Sequence, residues 1–570
     1  MKKHYETHVE DTDKLISVAG PELDYKSWYE QYRKLMEEQA QRKYGLYTPT
    51  SEGDDDDFPS IPGMIARYSA SGLTNEQMKE NPVWVDKTGN GHDLQMKNFL
   101  WGGMSGVGGY GDENYQTFYK FTLDDYVFIA SPPGVKHMNF TFRVTGLQPG
   151  NKLTLAFFGT TNTVYGTWNK DGIYTVDADI VEAGKPTYFY NGYSATRGEF
   201  TIEILPLYPG ALVFDGVDDY GACNNFPILT KEKGYTVVAL RQWISMGEGI
   251  SGLVSNVKNW FNDGTFVLEY NSNNATNKFV NRPVSFGKVN IEMDLPNNFT
   301  YQTSKSYKGV PITTGSFKGT NSLFVGKLNN IVGNCSNVAI WELVFLDHDA
   351  TEEELTKIKD YFVKTYPWLF PDQAWTVVGK TNENEDRATI ANITGNGNDL
   401  VLSNFGFIEG SGYNEEGEYA GYLVTDGVDD EIISAKLIQF ADKFTIVGDW
   451  KFMEDRNDNA GLLKANQIYI YNATTGMRIY LKQGSKNYPF SCKKINALTS
   501  DGWVYDEKWD KYKVYPIGSD IDISSRLFLG FYGSNFTKIA LKNLGIYNDQ
   551  LLSKDDCIKA YNYLQTLKAK

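Results

Sequence analysis

One string of five residues, Asp215-Gly216-Val217-Asp218-Asp219, recurs unchanged as Asp426-Gly427-Val428-Asp429-Asp430. Each copy lies between two short β-prone runs. Asp-Gly between apolar runs predicts a hairpin, because glycine accepts positive φ and aspartate caps its own turn. Two further landmarks keep the same order. Gly89-Asn90-Gly91-His92-Asp93-Leu94 matches Gly395-Asn396-Gly397-Asn398-Asp399-Leu400 at an offset of 306. Leu323-Phe324-Val325-Gly326 matches Leu527-Phe528-Leu529-Gly530 at 204, against 211 for the pentapeptide. The chain therefore reads as two related modules. The fall from 306 to 211 gives the first copy about 95 residues that the second lacks.

A chain of 570 residues makes roughly three or four domains. Its 38 Tyr and 32 Phe suit large β-sheets, where aromatic side chains pack well. A net charge of −16 argues against nucleic acid, which needs a basic footprint. Cys223, Cys335, Cys492 and Cys557 are scattered, as are the five histidines, so neither a zinc site nor any other cofactor is expected. The first twenty residues lack an apolar core and no run of 18 apolar residues occurs. The expectation is a protein made in a cytoplasm, without membrane insertion, that stays there or leaves by another route such as inside a virus particle.

Tyr25, Trp28, Tyr29, Tyr32, Leu35 and Met36 recur at three- and four-residue spacing and predict one face of a helix over residues 24–43. That stripe is either docked on the protein's own body or forms an oligomer seam or anchor in another protein. Residues 48–62, with Asp54-Asp55-Asp56-Asp57 and flanking prolines, read as an extended linker. The domain plan is thus 1–62 as anchor and linker, 63–104 with 209–370 as the first module, 105–208 as an inserted antiparallel sandwich, and 371–570 as the second module. Within the insertion, strands are expected over 139–144, 152–157, 173–176, 187–190 and 200–205. Each module closes on a helix: Thr351 with Glu354 forms a capping box, and the second helix follows Ser553 with Cys557, Ala560, Tyr561 and Leu564 inward.

No catalytic set emerges. Glu292-Met293-Asp294-Leu295 resembles the start of a glycosidase ExDxE strand, but Pro296 replaces the third acid. His4, His8, His92, His137 and His348 are paired with no Gly-x-Ser-x-Gly turn. Asp218, Asp219, Asp429 and Asp430 suit turn capping better than calcium, which needs six to eight oxygens. The loop after Thr88 lacks the Lys-Ser/Thr of a phosphate loop. For ligand binding the candidates are two tryptophans, Trp101 in Leu-Trp-Gly-Gly and Trp168 among the turn residues Gly166-Thr167-Trp168-Asn169-Lys170-Asp171.

The segments Gly63-Met64-Ile65-Ala66-Arg67-Tyr68, Thr88 to Asp93, Gly106-Val107-Gly108-Gly109-Tyr110 and Tyr208 to Tyr220 resemble large proteins of crAss-like and other Bacteroides phages. Asp347-His348-Asp349-Ala350-Thr351 before a helix is similar to the end of a laminin-G or concanavalin-like jelly roll. The resemblance implies a mainly β fold of two jelly-roll modules on a helical anchor. It implies a non-enzymatic virion protein, a head or tail fibre or decoration protein, located in the virion. Its partners would be other virion proteins, further copies of itself and host surface glycans. A capsule-degrading enzyme and a ligand-free spacer are the alternatives.

Overall fold

Two long strands set the architecture. Asn337–Leu346 is buried over nearly its whole length and pairs antiparallel with Thr236–Ser245. Burial on both faces requires cover on both sides. The inner side chains Val338, Ile340, Leu343 and Phe345 enter a sandwich core, and the closing helix and its flanking segments cover the outer face. A bulge opposite Leu240 and Arg241 interrupts the pairing. It sends the indole of Trp341 outward, where Nε1 donates to the Pro209 carbonyl at 2.8 Å.

In this computed structural model the described residues are 57–569, without 111–117, 122–125, 130–136, 148–149, 158–162, 180–186, 193–199, 246–250, 259–265, 272–297, 312–319, 329–334, 417–418, 454–460, 466–467, 474–475, 482–483, 489–493, 507, 515–523 and 533–534. Tyr25, Trp28, Tyr29, Tyr32, Leu35 and Met36 lie outside the described residues, as do Glu292 and Asp294.

The first module packs two antiparallel sheets face to face. One runs, neighbour to neighbour, through Val310–Pro311, Ser306–Tyr307, Phe299–Thr303, Thr236–Ser245, Asn337–Leu346, Leu212–Asp215 and Gly106–Val107, with Met64–Ser69 also on the central strand. The other runs through Val267–Asn271, Ser251–Ser255, Leu323–Val325, Tyr220–Cys223, Leu94–Lys97 and Val83–Trp84. The second module repeats both orders. Its first sheet runs from Gly412–Asn414 through Tyr422–Val424, Ile539–Asn548, Phe444–Phe452, Ile495–Thr499 and Trp503–Asp506 to Lys511–Lys513. Its second follows the same path and adds Gly476–Leu481 and Gly484–Tyr488 at the far edge. The bulge recurs too, between Asp449 and Trp450. The mainly β fold of sandwich modules expected from sequence is present.

The pentapeptide corrects one expectation. It does not close a hairpin: Leu212–Asp215 and Tyr220–Cys223 belong to different sheets, and so do Tyr422–Val424 and Glu431–Ser434. It is an arch over the sandwich edge. Asp215 Oδ1 accepts the amides of Val217 at 2.8 Å and Asp218 at 3.3 Å, which tightens the turn. Gly216 has φ +81° and leaves no room for a side chain, since a Cβ would lie 2.8 Å from Asn337 Cβ.

Strands 118–205 form two four-stranded sheets around Phe142, Leu155, Phe189 and Ile202. The chain enters and leaves this third sandwich side by side, with Leu207 N donating to Gly109 O and Tyr208 N to Gly108 O, both at 2.8 Å. In the second module Gly421 N bonds Asn414 O at 2.8 Å across a short loop at the same topological point. Phe118–Phe121, Tyr126–Ile129 and Thr163–Trp168 are strands that the sequence reading did not anticipate.

The first module's two sheets are also joined by charge. Glu269 is fully buried with φ +55°, and its carboxylate accepts from Arg241 Nε at 2.7 Å, Arg241 Nη2 at 2.6 Å, Trp243 Nε1 at 2.9 Å, Thr300 Oγ1 at 2.6 Å and Tyr307 OH at 2.7 Å. The closing helices Glu352–Thr365 and Lys554–Gln565 start as expected, with Thr351 and Ser553 capping.

Candidate functional site

The structure separates the two candidate tryptophans. Trp101 has φ +55° and stacks on Phe99, with centroids 4.7 Å apart and planes 16° from parallel. It packs against the first module's core. Its counterpart Phe407, φ +50°, holds the same rim position in the second module. Trp101 is a packing residue of a repeated turn and not a free platform.

Trp168 is placed otherwise. It ends the edge strand Thr163–Trp168, paired with Leu153, instead of standing in a turn. The two-sheet pairing of the insertion overrides the Gly-Thr-Trp-Asn composition that reads locally as a turn. Its ring is half-buried, edge-on to Phe142 at 4.9 Å and tilted against Tyr174 at 5.4 Å. Gly166 makes this lie feasible: a Cβ there would sit 2.5 Å from the indole. Gly172 does the same for Tyr174, whose hydroxyl donates to Lys170 O at 2.7 Å.

Beyond these rings lies a crevice of about 400 Å³, shared with the second module. Its near side carries Thr167, Trp168, Ile173, Tyr174 and Thr175, and its far side Lys494, Asn496, Lys508, Trp509 and Tyr561. Each far-side element is built locally. Trp509, φ +60°, sits in a tight loop in which Asp506 Oδ1 accepts the amides of Lys508 and Asp510, both at 2.9 Å. Its ring meets Tyr561 of the closing helix edge-on at 5.7 Å. Asn496 is the extra residue of a bulge between Ile495 and Ala497, a device that re-aims a side chain. It is 2% exposed, and its Oδ1 has no hydrogen-bond partner.

Two ion pairs cross between the sides and a third lies within the far side. Lys170 Nζ meets Asp510 Oδ2 at 2.6 Å, and Arg143 lies 3.9 Å from Asp555 while bonded to Glu203 at 2.8 Å. Lys494 Nζ contacts Asp449 Oδ1 at 2.7 Å and the Tyr561 hydroxyl at 2.9 Å. Burial raises the Asp449 carboxyl, but Lys494 and Lys542 outweigh it and hold it near 2. Burial, helped by Asp510, Asp171 and Asp506, pushes Tyr174 up to about 12. Trp509, Tyr561 and Asn496 escaped the sequence reading as ligand residues because nothing in the chain near them names the partner domain. Trp509 did carry one signal, an aromatic in the charged string Asp506-Glu507-Lys508-Trp509-Asp510.

The aspartate clusters are bonded within their own turns. Among the described residues, Asp215 with Asp218 and Asp219, and Asp426 with Asp429 and Asp430, bring carboxylate oxygens within 4.8 Å. Asp219 Oδ1 accepts from Ser105 Oγ at 3.1 Å and Oδ2 from Asp215 N at 3.1 Å. Asp430 makes the same bonds to Ser411 and Asp426. Burial, with the neighbouring Asp215, raises Asp219 to about 7, and burial raises Asp430 to about 6. These bonds tie the arch to the preceding turn in both modules.

No protein-family model and no curated protein matches the chain. Among solved structures, Trypanosoma rangeli sialidase is similar at TM-score 0.25 and 9% identity, over 69% of this chain and 68% of that one. The receptor-binding domain of botulinum neurotoxin mosaic serotype C/D is similar at TM-score 0.24 and 8% identity, over 60% of this chain and 89% of that one. The binding domain of botulinum neurotoxin serotype D gives TM-score 0.23 and 10% identity over the same shares, 60% and 89%. Values this low carry no argument about ligand or activity.

Among the described residues no helix is long and apolar enough to cross a membrane.

Proposed function

We propose that the chain is a carbohydrate-binding structural protein, a virion fibre or decoration protein whose sandwiches display a glycan site and whose first 62 residues attach it to the particle. The observation that carries the binding half is the Trp168 crevice. A half-exposed indole stands beside threonine hydroxyls, a lysine and a carboxamide, with a rigid sandwich on either side. That is the composition of a sugar site: an apolar ring for the pyranose face and fixed polar groups for its hydroxyls. Weak single contacts gain strength from copy number on a particle. The fibre half rests on the phage resemblance and on the aromatic stripe from Tyr25 to Met36. Catalysis is no part of the proposal.

The test is to compare the full chain with one lacking residues 1–62. Light scattering on the full chain is expected to give a defined homo-oligomer, and the truncated chain a monomer. Antibody labelling of intact particles is expected to decorate head or tail. A full-length monomer, or unlabelled particles, would overturn the fibre reading. A blank glycan array with an intact oligomer would favour a ligand-free spacer.

A further inference from the structure

We infer that the Trp168 crevice takes an uncharged sugar, a neutral mono- or disaccharide unit gripped by the inserted sandwich and the second module together. The inference rests on the carbohydrate-binding reading above and adds its ligand class.

The charge around the crevice is balanced. Lys170 is engaged by Asp510, and Lys494 by Asp449. Asp171 turns its carboxylate to the amides of Gly146 at 2.9 Å and Leu147 at 2.7 Å. Asp506 is already occupied by the amides of Lys508 and Asp510 and by the Tyr512 hydroxyl at 3.1 Å. Counted together, Lys170, Lys494 and Lys508 stand against Asp171, Asp449, Asp506 and Asp510, so no surplus of cations is there to hold a carboxylate or sulfate on the ligand.

The hydrogen-bonding groups point the same way. Asn496 Oδ1 is buried without a donor. A buried acceptor without a partner is costly, and turning the carboxamide about its last torsion offers that oxygen to a ligand donor. An anionic group brings acceptors only; a sugar hydroxyl brings the missing donor and can still accept from Lys508 Nζ. The volume, about 400 Å³, lies at the small end of the roughly 300–1,000 Å³ range of ligand pockets, enough for one or two rings. Since Trp168 and Asn496 come from different domains, neither domain alone makes the site.

The experiment uses the full chain on an array of neutral oligosaccharides ending in glucose, galactose, mannose or N-acetylhexosamines, with matched sialylated, uronic and sulfated versions. Hits go to calorimetry and to saturation-transfer NMR on the wild-type protein. Expected are binding of a neutral glycan, at least fivefold weaker binding of its acidic match, and at least tenfold weakening by Trp168→Ala and by Asn496→Leu. Thr175→Arg fills the crevice from its exposed rim without touching the core, and is expected to abolish binding even if the other variants fold poorly. Trp101→Phe is expected to change nothing. Binding of acidic glycans alone, lost in Thr175→Arg, would overturn this inference and leave the carbohydrate reading standing. Glycan binding untouched by Thr175→Arg would put the site elsewhere and overturn this inference, and absence of any glycan binding would overturn the carbohydrate reading itself.

Discussion

Replacing Glu269 by glutamine should strike the first module and spare the second. The carboxylate crosslinks the two sheets: Glu269 stands on Val267–Asn271 of one, and Arg241, Trp243 and Thr300 stand on the other. Burial alone would raise its pKa, yet the Arg241 charge and the bonds from Arg241, Thr300 and Trp243 hold it at about 2 against an ordinary 4.5. At about 1.4 kcal/mol per tenfold change, that difference corresponds to ~3 kcal/mol in favour of the charged form. Glutamine keeps the shape but only one acceptor oxygen, for Trp243 or for Thr300 and Tyr307, and leaves the Arg241 guanidinium buried without its counter-charge. Breaking a buried pair from one side costs about 3–5 kcal/mol, which in a module of this size is a fall of roughly 10 °C in Tm. Calorimetry of the full chain should show one transition shifted and the other in place. Adding Arg241→Met should recover part of the loss, since no lone charge then remains. A loss under about 1 kcal/mol, or a double variant worse than the sum of the single ones, would refute the reasoning. The same pair sets an acid limit: its stabilisation is present above pH 4.5 and is lost as pH falls toward 2.

Asp219 has the opposite sign. Its carboxyl is raised from 3.8 to about 7, so its neutral form contributes stability below pH 4 that is lost as pH rises to about 7; in Asp219→Asn, urea midpoints of the first module should vary less over that window. Gly216→Ala and Gly427→Ala should each cost about 1 kcal/mol or more in urea titrations, because both residues have positive φ and a Cβ would meet Asn337 or Lys538 at 2.8 and 3.0 Å; a gain in stability from either would contradict the arch geometry. Lys170→Ala should change the unfolding midpoint by less than about 1 kcal/mol, since both partners of its ion pair with Asp510 are 46% exposed.

Much of the architecture was legible because it is written twice. The matching of Gly89 to Leu94 with Gly395 to Leu400, and of the two pentapeptides, marks a repeat and a longer stretch between the landmarks of its first copy. The capping residues Thr351 and Ser553 marked the closing helices, because a cap is satisfied within one turn. The pentapeptide shows where such reading stops. Asp-Gly fixes a turn through Asp215 Oδ1 and the positive φ of Gly216, and those are local facts. Whether the next strand returns to the same sheet or crosses to the other depends on which strands claim its edges, and Asn337–Leu346 and Leu323–Val325 claimed them separately.

Trp168 divides in the same way. The sequence by itself determined that an aromatic ring stands between two glycines close to a charged turn, because that is composition and spacing. Only the tertiary structure decided that the ring ends a strand, lies over Gly166 and faces Asn496 and Trp509, some 330 residues further along the chain. Local chemistry fixes turns, caps and strand patterns, since their hydrogen bonds close within a few residues. A crevice between domains has no local signature, because each wall is satisfied by its own core and only their meeting makes the space.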